Sequence, residues 1–214
     1  MNLILGGTHG LGQEIAKELQ RQGEDTFVTG RSYDKAKHGP GMKIDVSTRE
    51  DITALEKQIE HTDFTGFYWV AGYGYIGDFA GQPEPRKMAE VNFANIMPAA
   101  QAAWRKLLKT RGSYIVISST TGLKARKDEA VYAATKHAQV GFARSLGLES
   151  ERLESNIKVA LFLPGGMRTP FWEGSQPAAF NDFLDPQKVA ARIVEQTIKQ
   201  HDYFYEEIIE RGSL

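Results

Sequence analysis

The sequence predicts an α/β fold: a doubly wound parallel sheet of about seven strands with helices on both faces, in a single domain. Three observations predict it. Short apolar runs of strand length alternate with longer segments of helical periodicity along the chain. A glycine-rich turn joins the first strand to the first helix. No repeat, linker or low-complexity stretch interrupts the alternation, so the 214 residues read as one domain, 1–214.

Leu3-Ile4-Leu5 is a short buried strand, broken at once by Gly6 and Gly7. From Leu11 the apolar positions Ile15, Ala16 and Leu19 recur at helical spacing, and Gly23 closes that helix. Thr26–Thr29 is the second strand, ended by Gly30. Ser32 to Gly41 is polar with a Gly39-Pro40-Gly41 breaker, which allows a helical turn or two at most. Met42–Ile44 is the third strand and stops at Asp45. Thr48 to Glu60 is an amphipathic helix with Ile52, Leu55 and Ile59 on one face, followed by a fourth strand, Phe67–Val70. One long helix is expected from about Glu84 to Lys109, with Pro98 kinking it. Tyr114–Ser118 is apolar on both faces and therefore a central strand. A second long helix runs from Glu129 to Glu154 and a sixth strand from Val159 to Phe162. Pro170 to Phe183 is irregular and aromatic, and Pro186–Lys199 and Tyr203–Ile209 close the chain as helix and strand.

The balance of 41% hydrophobic and 25% charged residues is that of a soluble globule, and the net charge of −1 gives no broad pull toward nucleic acid or an anionic membrane. There is no cysteine, which excludes disulfides, thiolate catalysis and Cys-ligated zinc and fits a reducing compartment. The apolar N-terminal run is too short for a signal sequence, and nothing approaches the ~20 apolar residues of a membrane span. A cytoplasmic location is expected. The five histidines show no metal-ligand spacing, and no metal site is expected.

Gly6, Gly10 and Gly12, spaced Gly-x-x-x-Gly-x-Gly at the first strand–helix turn, permit positive φ and close approach of backbone to a pyrophosphate. In an alternating chain this position is that of a Rossmann-like dinucleotide site, with Thr8, His9 and Leu11 counted among its contacts. A chain that binds NAD commonly carries a carboxylate at the end of the second strand; here Gly30 and Arg31 stand there. A carboxylate repels a 2′-phosphate and an arginine binds it, so NADP(H) is preferred over NAD(H), with His9 as a second donor. A solvated surface arginine is the alternative for Arg31.

Tyr132 and Lys136 lie at i and i+4 on one helix face. A free phenol, with a pKa of ~10, is of little use at neutrality, and a neighbouring ammonium is expected to bring it down. Such a tyrosine can protonate a carbonyl oxygen, and Ser119 at the end of the central strand can polarise the same oxygen. Alone, the pair is more often structural than catalytic.

Its company changes that. Gly112 to Leu148 resembles the core of the short-chain dehydrogenase/reductase family: Tyr114–Gly122 matches its strand with the catalytic serine, and Tyr132–Leu146 its active-site helix. The interval to Tyr132 makes Ser119, rather than Ser118, the match. Pro164-Gly165-Gly166-Met167-Arg168-Thr169 resembles the family's Pro-Gly segment, Val91-Asn92 its asparagine site, and Asp45-Val46 the pair that contacts adenine. The resemblance implies that Tyr132 is general acid/base, Lys136 tunes it and binds the nicotinamide ribose, Ser119 orients the carbonyl, and Asn92 holds a water in the proton path. It implies cofactor contacts at Pro164, Gly165 and Thr169. It also implies a homodimer or homotetramer paired through the two long helices.

The chain departs from the family at Trp69-Val70-Ala71-Gly72, which replaces Asn-Asn-Ala-Gly, and at Leu5 in place of threonine. Ala71 and Gly72 keep access to the adenosine side; the strand-bridging contact of the second asparagine must be absent or made by others. The short segment at about 170–184 suggests a small lid. Phe171, Trp172, Phe180 and Phe183, with Tyr73 and Tyr75, form an aromatic substrate wall or merely pack the lid down. Lys124, Arg126 and Lys127 read as a solvated basic loop, partly neutralised by Asp128 and Glu129. The expected function is NADP-dependent interconversion of a small carbonyl compound and its alcohol. The alternatives are a nucleotide sensor that no longer turns over and, more remotely, epimerisation or dehydration on the same scaffold.

Overall fold

Leu3, Ile4 and Leu5 are fully buried in β1 (Asn2–Leu5), the strand around which the sheet of the computed structural model is built. The structure describes residues 1–172 and 179–214, apart from the side chain of Trp172. β1 pairs in parallel with β2 (Thr26–Gly30) on one side and β4 (Gly66–Trp69) on the other, Leu5 lying opposite both Thr29 and Trp69. β3 (Gly41–Lys43), β5 (Ser113–Ile117), β6 (Lys158–Pro164) and β7 (Phe204–Ile209) complete a seven-stranded, all-parallel sheet of order 3-2-1-4-5-6-7. This is the expected Rossmann-like architecture, and β5 is central as its two apolar faces require.

Side chains alternate across the sheet and feed two cores. Leu3, Leu5, Phe67, Trp69, Tyr114 and Val116 face α3 (Arg49–His61), α5 (Met97–Thr110) and α6 (Ala130–Arg152). Ile4, Tyr68, Ile115 and Ile117 face α1 (Gly10–Arg21) and α7 (Pro186–Lys199), which bury Ile15, Leu19, Val189 and Ile193. Each such aliphatic side chain contributes about 1.5–3 kcal/mol. α2 (Lys35–His38) is a single turn, as the Gly-Pro-Gly breaker allows. Among the described residues no helix is long and apolar enough to cross a membrane.

The helix expected over 84–109 is two helices. α4 (Pro85–Asn92) ends at Phe93 (φ −145°, ψ −65°), a 3-10 turn covers Ala94–Ile96, and α5 begins at Met97. Pro98 does not kink a helix: it stands in the first turn of α5, where an absent N–H leaves no hydrogen bond unmade. The break has a tertiary cause. The Phe93 ring is drawn inward against Trp69 and Phe142, with centroids 5.8 and 6.1 Å away.

The strand order reverses direction between β1 and β4, and the C-terminal ends of these strands form the crevice where an open α/β sheet takes its ligand. Gly6 sits there at φ +89°, and a Cβ on it would lie 2.7 Å from the Ala71 backbone. A Cβ on Gly12 would lie 2.1 Å from the Gly6 carbonyl oxygen. Gly12→Ala is therefore expected to force the first turn off α1 and to destabilise the protein by about 2–3 kcal/mol. Thermal unfolding should then show a melting temperature lower by roughly 5–10 °C.

Candidate active site

The first helix presents an anion-binding end. Its N-cap residue His9 makes no side-chain cap bond, and no acidic residue occupies the first turn, so its leading amides are open to a ligand. Gly10 (φ +52°) faces Thr169, whose Cβ is 3.3 Å from where a Gly10 Cβ would be. The Pro-Gly segment thus arches over the glycine turn: Pro164 ends β6, and the Gly165 amide donates to the Ile209 carbonyl at 2.9 Å. Leu11 and Thr8 are buried, and the Thr8 hydroxyl meets the exposed His9 Nδ1 at 3.1 Å. Thr8 also fills the space above Gly30, where a Cβ would lie 2.5 Å from its hydroxyl oxygen.

At the adenosine side Arg31 is exposed directly after β2. Asp45 accepts from the Ser47 amide at 2.9 Å and donates its own amide to Asp51, and the Val46 carbonyl accepts from Asn95. Burial works to raise the Asp45 carboxyl, but the Ser47 bonds and the charges of Arg31 and Lys87 hold it below its ordinary value. Arg31 and Lys87 also act together on Tyr73, so two cations converge here. Lys87 was not singled out from sequence; its charge is partly met by Glu84 at 3.2 Å.

Ser118 and Ser119 point to different tasks. The Ser118 hydroxyl donates to the Lys136 carbonyl at 3.0 Å and ties α6 to the end of β5. The Ser119 hydroxyl accepts from the Thr121 amide at 3.1 Å, and it acts on the Tyr132 phenol, whose pKa it lowers. Lys136 is buried, with its Nζ 5.8 Å from the centre of the Tyr132 ring. Asn92 is fully buried and clasps the loop after β4, accepting from the Tyr73 amide at 2.9 Å and donating to the Tyr73 carbonyl at 2.8 Å. It also donates to Thr135 at 3.1 Å. Asn92 therefore anchors the Ala71-Gly72-Tyr73 loop, which Val70 has no polar group to hold. A Cβ on Gly72 would stand 3.2 Å from the Asn92 side chain and 4.0 Å from Lys136 Nζ, so glycine keeps this approach open.

The surroundings of the phenol oppose the lowering that the Tyr-x-x-x-Lys spacing suggests. Burial pushes the Tyr132 hydroxyl above its ordinary range; the Ser119 hydroxyl pulls it back in part, and the charge of Glu129 adds to the rise. Lys136 is not among the groups that lower it; its ammonium donates to the Ile117 carbonyl at 3.1 Å and to Gln139 Oε1 at 2.9 Å. Burial drives the Lys136 pKa down to about 7.

The aromatic segment divides. Phe171 packs on the Tyr132 ring (centroids 5.6 Å, 58°) and fills the space that a side chain at Gly74 would take. Phe183 is buried against Gly166, under Arg211 at 4.7 Å, and beside Phe180 at 5.9 Å, so it packs on the body of the domain. Tyr75 folds over Gly77, and the Trp172 side chain lies outside the described residues. Arg126 reaches Thr120 at 3.5 Å, and Glu129 accepts from the Thr121 hydroxyl at 3.1 Å.

The chain has known relatives and the fold has solved counterparts. The family model of the short chain dehydrogenases matches residues 1–179. An uncharacterized oxidoreductase of Staphylococcus aureus is 26% identical over 213 residues, covering 90% of this chain and 88% of the relative. The 3-oxoacyl-[acyl-carrier-protein] reductase of Homo sapiens is 28% identical over 181 residues, covering 78% and 75%. Among solved structures, an alcohol dehydrogenase from Thermococcus sibiricus complexed with 5-hydroxy-NADP superimposes with a TM-score of 0.84 at 23% identity over 100% of this chain and 97% of that one. A short-chain dehydrogenase from Sphingobium yanoikuyae in complex with NADPH gives 0.85 at 19% identity, over 96% and 86%. The chain belongs to the short-chain dehydrogenase/reductase family of NAD(P)-binding oxidoreductases.

Proposed function

We propose that this protein is an NADP-dependent carbonyl reductase or alcohol dehydrogenase that uses Tyr132 as general acid/base. The observation that carries the reading is the convergence of Ser119, Tyr132, Lys136 and Asn92 beside the glycine turn, at the reversal point of the sheet. The open first turn of α1 and the glycine cradle fit a dinucleotide pyrophosphate, and Thr169 stands next to that cradle. When bound, the dinucleotide supplies or accepts the hydride; the protein supplies position and electrostatics.

The substrate oxygen sits between the Ser119 and Tyr132 hydroxyls. Ser119, which acts on the phenol, polarises the carbonyl beside the Tyr132 proton. A phenol held above its ordinary pKa keeps its proton at neutrality, which suits the donor's role in reduction. Lys136 Nζ stands 5.8 Å from the centre of the ring, and its remaining N–H would serve the phenolate left after proton transfer and the ribose of a bound dinucleotide. Phe171 on the Tyr132 ring gives the substrate an apolar wall. The two long-helix segments pair in a homodimer or homotetramer, and the exposed Leu108 and Leu148 on α5 and α6 supply apolar surface for that contact.

NADP is preferred because Arg31 and Lys87 converge where the 2′-phosphate would lie and no carboxylate ends β2. The solved structures of similar fold in complex with NADPH and with 5-hydroxy-NADP accord with this. Loss of an arginine–phosphate contact costs about 1.5–3 kcal/mol. Arg31→Ala is thus expected to raise the KM for NADPH roughly 10- to 100-fold and to leave that for NADH unchanged, measured as nicotinamide oxidation with a panel of small ketones and aldehydes. Equal effects on both nucleotides would remove Arg31 from the phosphate site, and no oxidation with any carbonyl would count against the reductase.

A further inference from the structure

A buried ammonium needs acceptors, and the one facing Lys136 is neither a carboxylate nor open solvent. Gln139 is fully buried one helical turn beyond Lys136, and its side-chain amide is used at both ends. Oε1 accepts from Lys136 Nζ at 2.9 Å, while Nε2 donates to the backbone carbonyl of Asn92 at 3.2 Å. The second bond fixes which end of the amide faces the lysine, since only the oxygen can accept. Asn92 is in turn held by Tyr73 and Thr135. A continuous chain therefore runs from the loop after β4, through the end of α4, to the ammonium on α6.

We propose that Gln139 is the positioning residue of Lys136: its amide bridges the Asn92 carbonyl and the ammonium, keeps the ammonium protonated in a buried site, and leaves one of its three protons for the phenol and the nicotinamide ribose. The role of Lys136 toward Tyr132 rests on the reductase reading above; the bridge itself does not. The bridge holds rather than relays, because passing a proton through a carboxamide would require its imidic-acid form. Among the described residues no charged group takes its place beside the ammonium. β5 offers Nζ the Ile117 carbonyl, the loop after β4 offers Gly72, and α4 offers the uncharged Asn92. On α6 the titratable neighbour is Tyr132, and the Glu129 charge bears on that phenol.

The test is the titration of Lys136 in the full-length protein carrying 13Cε-labelled lysine, its signal assigned by its loss in Lys136→Met. In the wild type the signal should move around neutral pH. Gln139→Leu removes the acceptor, and since a hydrogen bond to a charged group is worth more than a neutral one, the midpoint should fall by about one to two pH units. Gln139→Met, closer in shape, should do the same. Gln139→Glu replaces the amide oxygen by a carboxylate, and the midpoint should rise by at least as much. Opposite shifts in Leu or Met and in Glu support the bridge. Midpoints that stay put, or shift the same way in all variants, overturn it and leave Gln139 as packing. The titration is read without turnover, so a wild type that oxidises no NADPH would sink the reductase reading and not the bridge.

Discussion

Tyr132→Phe is expected to reduce carbonyl substrates about 10²–10⁴-fold more slowly than the wild type, which is the usual worth of a positioned general acid. Binding of NADPH should be unaffected. The substitution removes one oxygen and keeps the ring, so the contact with Phe171 and the face presented to Lys136 remain. What is lost is the phenol proton that the reductase reading assigns to the carbonyl oxygen. The comparison is made on kcat at saturating ketone, with nucleotide affinity followed by nicotinamide fluorescence. A variant that retains turnover on a ketone the wild type reduces would remove Tyr132 from the chemistry.

Lys136→Met is expected to separate activity from stability. The protein should lose turnover and become harder to unfold. Burial lowers the Lys136 pKa from 10.5 to about 7, so the folded chain holds this proton less firmly than the unfolded chain does. Between about pH 7 and pH 10.5 the unfolded state binds the extra proton, and this group makes stability rise with pH through that window. Below pH 7 its whole cost is present. That cost is at most about 5 kcal/mol, and methionine leaves the Ile117 and Gln139 oxygens without their donor, so the net gain at pH 6 is about 2–4 kcal/mol. Urea unfolding of both proteins from pH 6 to pH 10 should show the difference shrinking as pH rises. A constant difference would mean that packing, not ionisation, sets it.

The sheet was legible because each strand is an apolar run bounded by glycine or a polar turn, and the alternation with helical segments fixes parallel pairing. Ser119 was separable from Ser118 only through its interval to Tyr132; the structure gives the physical difference, one hydroxyl acting on the phenol and the other bonded to the backbone of α6. The break at Phe93 was not legible. Val91 to Met97 has unbroken helical periodicity, and the break comes from a ring pulled onto Trp69 and Phe142, residues far away in sequence. The same holds for the phenol. Spacing puts an ammonium on the right helix face, but not which acceptors it turns to, and here these are Ile117 and Gln139. Gln139 did carry a signal, a long amide three residues beyond a lysine on a buried helix, although the Asn92 carbonyl that orients it comes from another element. Phe183 shows the converse: Gly166 leaves room for its ring, which marks it as packing rather than substrate wall.

The central claim, a dinucleotide-dependent hydride-transfer site, is tested most directly by titrating NADPH and NADH into the purified protein and following nicotinamide fluorescence. Saturable binding of NADPH at one site per chain, tighter than that of NADH, is the predicted result. Absence of saturable binding for both nucleotides would contradict it, and would turn attention to Leu5 and Val70, where this chain departs from its family.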